Sequence, residues 1–111
     1  MSFSNRVGYW DVPISLDRWA HVAVTYDSDS AFNDPTFYVD GTRPFVTQSS
    51  APSGTVDDDS GLSTAIGNRS YEHTRGFGGT IDEVRMASTA RSRCWMELEY
   101  LNQSGGLVLL P

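Results

Sequence analysis

The residues best suited to do chemistry in this chain lie in the short run 68–75, which carries Asn68, Arg69, Tyr71, Glu72, His73 and Arg75. An aromatic face can stack on a sugar ring, while guanidinium, amide, carboxylate and imidazole groups hydrogen-bond to its hydroxyls. The run therefore predicts a carbohydrate contact at Asn68, Arg69, Tyr71, Glu72 and Arg75. The competing reading is an ordinary exposed loop, since such mixtures are common on protein surfaces.

Other constellations are weaker. His21 sits in the strand-like segment W-A-H-V-A, where a structural role is expected, and His73 stands alone among polar neighbours. The chain has no H-E-x-x-H, no G-x-S-x-G and no phosphate-cradling glycine loop. Asp27, Asp29, Asn33 and Asp34 make an oxygen-rich loop, but without the glycine and terminal glutamate of an EF-hand. Asp57, Asp58 and Asp59 are expected to be a solvated tip.

Composition narrows the function further. A chain of 111 residues supports one domain with a single core. Fourteen acidic residues face eight arginines, with no lysine at all. The arginines are scattered apart from Arg91 and Arg93, so no basic patch for phosphate forms and nucleic acid is excluded as an expected partner. Cys94 is the sole cysteine, which rules out an intrachain disulfide; its position beside Trp95 predicts a small buried residue. No run approaches the ~20 apolar residues that span a bilayer, so membrane insertion is not expected. The opening residues MSFSNRVGYW lack the basic start and apolar run of a signal peptide.

The elements that must position these groups follow from alternation and turn chemistry. Strands are expected near residues 19–27, 36–40, 42–47, 62–67 and 79–86, with a short helix near 92–102. Phe37 and Val39 share one strand face, Tyr38 and Asp40 the other, and Asp40-Gly41 predicts a two-residue hairpin turn. Residues 48–61 are expected to be a surface loop. Ser88 or Ser92 can cap the helix, Trp95, Leu98 and Leu101 recur at helical spacing, and Gly105-Gly106 ends it. Trp10 and Trp19 are expected in core or edge packing.

Three segments in order, WAHVAVTYD, FYVDGTRPF and GGTIDEVRMASTARSRCW, with IGNRS between the second and third, resemble the C-terminal half of a LamG-like module. That module belongs to the concanavalin A-like lectin/glucanase superfamily. The resemblance runs from about residue 13 to 103 and implies an all-β fold: an antiparallel β-sandwich of jelly-roll type with one short C-terminal helix. It also implies a non-catalytic module, extracellular or at the cell surface, that binds a glycan or surface glycoconjugate.

Some glucanases of the superfamily carry an E-x-D-x-x-E strand, and here Thr80 and Arg85 occupy the glutamate positions around Asp82. Without that carboxylate pair, retaining hydrolysis has neither nucleophile nor acid. Related sandwiches often bind calcium through an acidic residue of the last strand, which makes Asp82 the candidate metal ligand. The alternative is that Asp82 caps a neighbouring amide or pairs with Arg85 or Arg69. Family modules usually have several more strands ahead of W-x-H-V-A, where this chain offers only residues 3–14. An incomplete sandwich exposes strand edges, so the single domain 1–111 is expected to form a homo-oligomer or be completed by a partner chain. The alternative function is accordingly a protein interaction or self-assembly element.

Overall fold

The computed structural model describes residues 2–5, 8–30, 32–54, 60–61, 63–68 and 76–105. The chain divides into two compact units, Met1–Val56 with Thr89–Pro111, and Asp57–Ser88. Among the described residues the first unit holds five four-residue strands and one helix: β1 (Ser2–Asn5), β2 (Gly8–Asp11), β3 (Val22–Thr25), β4 (Thr36–Val39), β5 (Thr47–Ser50) and α1 (Arg93–Ser104). That helix is neither long nor apolar enough to cross a membrane.

The strands form two antiparallel sheets, one ordered β1-β2-β5 and the other β3-β4. The N-terminal residues make a hairpin, with Phe3 opposite Trp10 and Ser4 opposite Tyr9. On the other side of β2, Tyr9 faces Ser50 but Trp10 faces Gln48, so Ser49 is an extra residue at a bulge. The Ser49 hydroxyl donates to the Asp11 carboxylate there. In the second sheet Val22 pairs with Val39, Ala23 with Tyr38 and Val24 with Phe37.

β4 is buried on both faces, through Phe37 on one and Tyr38 on the other. Phe37 joins Trp10 and Val12 in the core cluster, against which Val39 and Val46 pack. Tyr38, on the opposite face, is equally buried, and the Arg43 guanidinium carbon lies 5.9 Å from its ring centroid. Because Trp10 comes from the first sheet and Phe37 from the second, one cluster joins them. A complete jelly-roll is not assembled among the described residues.

The Asp40-Gly41 turn forms as its composition demands. Asp40 and Gly41 have φ of 51° and 77°, the two positive values of a type I′ turn. Val39 and Thr42 exchange both backbone hydrogen bonds, at 2.8 and 3.1 Å. The strand expected at 42–47 does not follow, because pairing stops after the single Val39–Thr42 bridge. Pro44 has no N–H to continue a ladder. The chain instead becomes β5 at Thr47–Ser50, the last three residues of which fall in the stretch expected to be loop, and pairs with β2.

Two further expected strands are corrected in the second unit. Residues 63–67 and 79–86 have no ladder partner among the described residues. Gly67 at φ 82° and Glu83 at φ 50° each interrupt the extended backbone. The Asp82 carboxylate also takes the Glu83 amide at 2.9 Å, a local bond that competes with ladder formation. Turn contacts order this unit instead: the Phe77 N–H donates to the Gly67 carbonyl at 2.6 Å.

The helix begins and ends as expected. Ser92 is the N-cap, its hydroxyl accepting from the Trp95 amide at 3.3 Å, and Gly105 closes the C-terminus in the left-handed region. Its buried face differs from the expected one. Met96 is buried, whereas Trp95 and Leu98 are about half exposed and Cys94 is exposed rather than buried. The reason is the Asp40-Gly41 turn, against which α1 lies with Glu97 and Tyr100. At ~100° per residue, that contact turns Met96 and Tyr100 inward and Cys94, Trp95 and Leu98 outward, while Glu97 meets the turn through its Cα and stays exposed. Trp95 is partly covered by Arg91, whose guanidinium carbon is 4.7 Å from the ring centroid.

Candidate functional site

The first unit contains an open cleft of about 240 Å³ lined by Trp10, Asp34, Pro35, Val46 and Gln48. It arises where the end of the 27–35 loop meets β2 and β5. Trp10 and Pro35 are buried, Val46 is half-buried, and Asp34 and Gln48 are exposed. The Gln48 amide nitrogen donates to Asp34 Oδ1 at 3.3 Å, so the two polar residues are held together at the rim.

The loop that brings Asp34 to this place is ordered by its own turn-forming residues. The Asp29 amide donates to Asp27 Oδ1 at 3.0 Å, and Asn33 Nδ2 donates to the Asp27 carbonyl at 3.0 Å. The Tyr26 hydroxyl donates to the Ser30 carbonyl at 3.1 Å and the Phe32 amide to the Ser30 hydroxyl at 3.2 Å. The oxygen-rich character noted in the sequence is thus used to hold the loop. Among the described residues no group of three or more His, Cys, Asp or Glu side chains converges.

A second polar cluster surrounds Asp40. Its Oδ1 accepts from the His21 amide at 2.9 Å and its Oδ2 from the Arg18 guanidinium at 2.8 Å. His21 is half-buried, with its ring centroid 6.2 Å from that of Tyr100. Its Nδ1 is buried and has no hydrogen-bond partner among the described residues. Trp19, expected to pack, is instead 68% exposed beside Arg18.

Of the residues expected to contact sugar, Asn68 is half-buried and its amide lies beside Gly76, 3.7 Å from where a Cβ on that glycine would stand. The hydrogen bond between Phe77 and Gly67 ties together the residues on either side of the 68–76 segment. Arg69, Tyr71, Glu72, His73 and Arg75 lie outside the described residues. Asp82, the candidate calcium ligand, is exposed and caps the Glu83 amide, while Arg85 approaches Glu83 at 3.5 Å.

A laminin G-type family model, described as concanavalin A-like lectin/glucanases superfamily, matches residues 4–96. The chain belongs to this superfamily. No curated protein and no solved structure matches it. The match begins at residue 4 rather than near 13, so the β1-β2 hairpin lies almost wholly within the superfamily domain. The superfamily's fold is a β-sandwich, consistent with two antiparallel sheets sharing the cluster of Trp10, Val12 and Phe37.

The cleft was not legible in the sequence. Trp10, Asp34 and Gln48 belong to no shared motif and come together only because β5 pairs with β2 and the 27–35 loop folds onto Gln48. The one available signal was the Asp34-Pro35 pair, a turn marker that places a carboxylate at a loop end.

Proposed function

We propose that this superfamily member is a non-catalytic binding module that recognises a glycan or glycoconjugate outside the cell. Membership of a lectin/glucanase superfamily over residues 4–96 is the observation that carries the reading. Two facts about the chain support binding over turnover. Thr80 and Arg85 stand where a hydrolase strand of the superfamily would need glutamates, and the intervening Asp82 engages a backbone amide. Recognition needs only placed polar groups and an apolar surface, whereas hydrolysis needs a positioned acid with a nucleophile or base.

A glycan array with wild type and Tyr71→Ala is the test. Specific binding that is lost in the variant supports the 68–75 segment as a contact. Absence of binding to every glycan by folded protein removes the reading, and release of reducing ends from a polysaccharide replaces it with catalysis.

The second reading, an assembly element, is favoured by the small size of both sheets, of three and two strands among the described residues, together with exposed Ile66, Phe77, Ile81, Val84 and Met86 in the second unit. It predicts a homo-oligomer or a complex with a partner chain. A monomer mass by light scattering over a wide concentration range would count against it.

A further inference from the structure

We infer that the cleft formed by Trp10, Asp34, Pro35, Val46 and Gln48 is a sugar subsite that selects neutral or amine-bearing rings over anionic ones, with Asp34 as the specificity-determining residue. This rests on the glycan-binding reading and adds to it a second location and a charge preference.

Size comes first. At about 240 Å³ the cleft is smaller than the ~300–1,000 Å³ of typical small-molecule sites, so it suits one ring of a glycan rather than a run of several. Its lining is chemically split, with an apolar base of Trp10, Pro35 and Val46 and a polar rim of Asp34 and Gln48. A pyranose has the matching division, C–H groups on a face and hydroxyls around the edge. Because Trp10 is only 3% exposed, the base supplies apolar contact but no open stacking platform. Orientation must therefore come from hydrogen bonds at the rim.

The rim is also partly arranged before any ligand arrives. The Gln48–Asp34 hydrogen bond uses one amide hydrogen and Oδ1, which leaves, among the described residues, Asp34 Oδ2, Gln48 Oε1 and the other amide hydrogen to meet hydroxyls. Internal bonds of the 27–35 loop hold Asp34 in position, which lowers the ordering cost of binding.

Charge then sets the selection. Among the described residues, Asp34 is the only ionisable one lining the cleft, and no arginine or histidine lines it. A uronate or sulfate brought there meets a carboxylate without a compensating cation, whereas an ammonium gains a charge-assisted hydrogen bond. The 68–75 segment, with Arg69 and Arg75, has the opposite bias. The two locations are therefore separable by ligand charge.

The test compares one hexose as its neutral methyl glycoside, its amino-sugar form and its uronate, titrated against the whole chain at physiological ionic strength. Wild type is expected to bind the neutral and amine-bearing forms about tenfold or more tightly than the uronate. Asp34→Asn should bring the three affinities within about threefold of each other, and Gln48→Arg should favour the uronate. Thermal melts establish that both variants, altered at exposed positions, are folded. Tighter binding of the uronate by wild type, or an unchanged ratio in Asp34→Asn, overturns the subsite while leaving glycan recognition through the 68–75 segment standing. No binding of any sugar by folded protein overturns both.

Discussion

Asp40 and His21 hold each other reciprocally: the Asp40 amide donates to the His21 carbonyl at 2.8 Å, and the His21 amide donates to Asp40 Oδ1 at 2.9 Å. One residue thus supplies the left-handed first position of the hairpin turn, a cap on the start of β3 and, through Oδ2, an anchor for Arg18. The ion pair itself is a small part of this, because Arg18 is half exposed and such pairs contribute ~0–1 kcal/mol. The backbone functions are the larger part.

Asp40→Asn is accordingly expected to cost less than about 1 kcal/mol, because asparagine tolerates positive φ and still accepts from the His21 amide. Asp40→Ala loses both and should cost ~1–3 kcal/mol. Urea denaturation of both variants checks this, and equal losses would show that charge, not turn geometry, is what matters.

Gly41→Ala is expected to destabilise by ~1–3 kcal/mol for two independent reasons. The position has φ of 77°, and the new Cβ would stand 3.1 Å from Glu97 Cα and 3.3 Å from the Tyr100 ring. The helix backbone cannot yield as a flexible side chain would. A melting temperature unchanged from wild type would overturn both the left-handed backbone at this position and the packing of α1 against the turn.

The core and the exposed aromatics should respond oppositely to truncation. Phe37→Ala empties the cluster shared with Trp10 and Val12 and is expected to cost ~3–5 kcal/mol. Trp19→Ala, at a position 68% exposed, should stay within ~0.5 kcal/mol. Chemical denaturation separates the two, and a large loss for Trp19 would place it in a contact that this fold does not contain.

Calcium binding at Asp82 is a separate proposal, and its ion would have to draw on Oδ2 and nearby carbonyl oxygens because Oδ1 accepts from the Glu83 amide. It predicts that calcium raises the melting temperature of wild type relative to chelator, and that Asp82→Ala abolishes the difference. Identical melts of wild type in the two buffers would remove the proposal.

What the sequence determined by itself was local. Asp40-Gly41 specified a turn because each residue tolerates positive φ, Ser92 and Gly105 bounded the helix because they satisfy its end groups, and the alternation of Phe37, Tyr38 and Val39 assigned the two faces of β4. The ordered motifs also sufficed for the superfamily. Only tertiary structure decided that Thr47–Ser50 pairs with β2, that Met96 rather than Trp95 faces inward, and that Trp10, Asp34 and Gln48 share a cleft. The physical reason is range. Turns and caps are set by bonds within a few residues, whereas strand partners, helix rotation and clefts depend on which distant surfaces meet. In the second unit the same limit acted in reverse: the alternation of residues 79–86 favoured a strand, but the Asp82–Glu83 bond and the left-handed backbone at Glu83 prevailed where no ladder partner is present among the described residues.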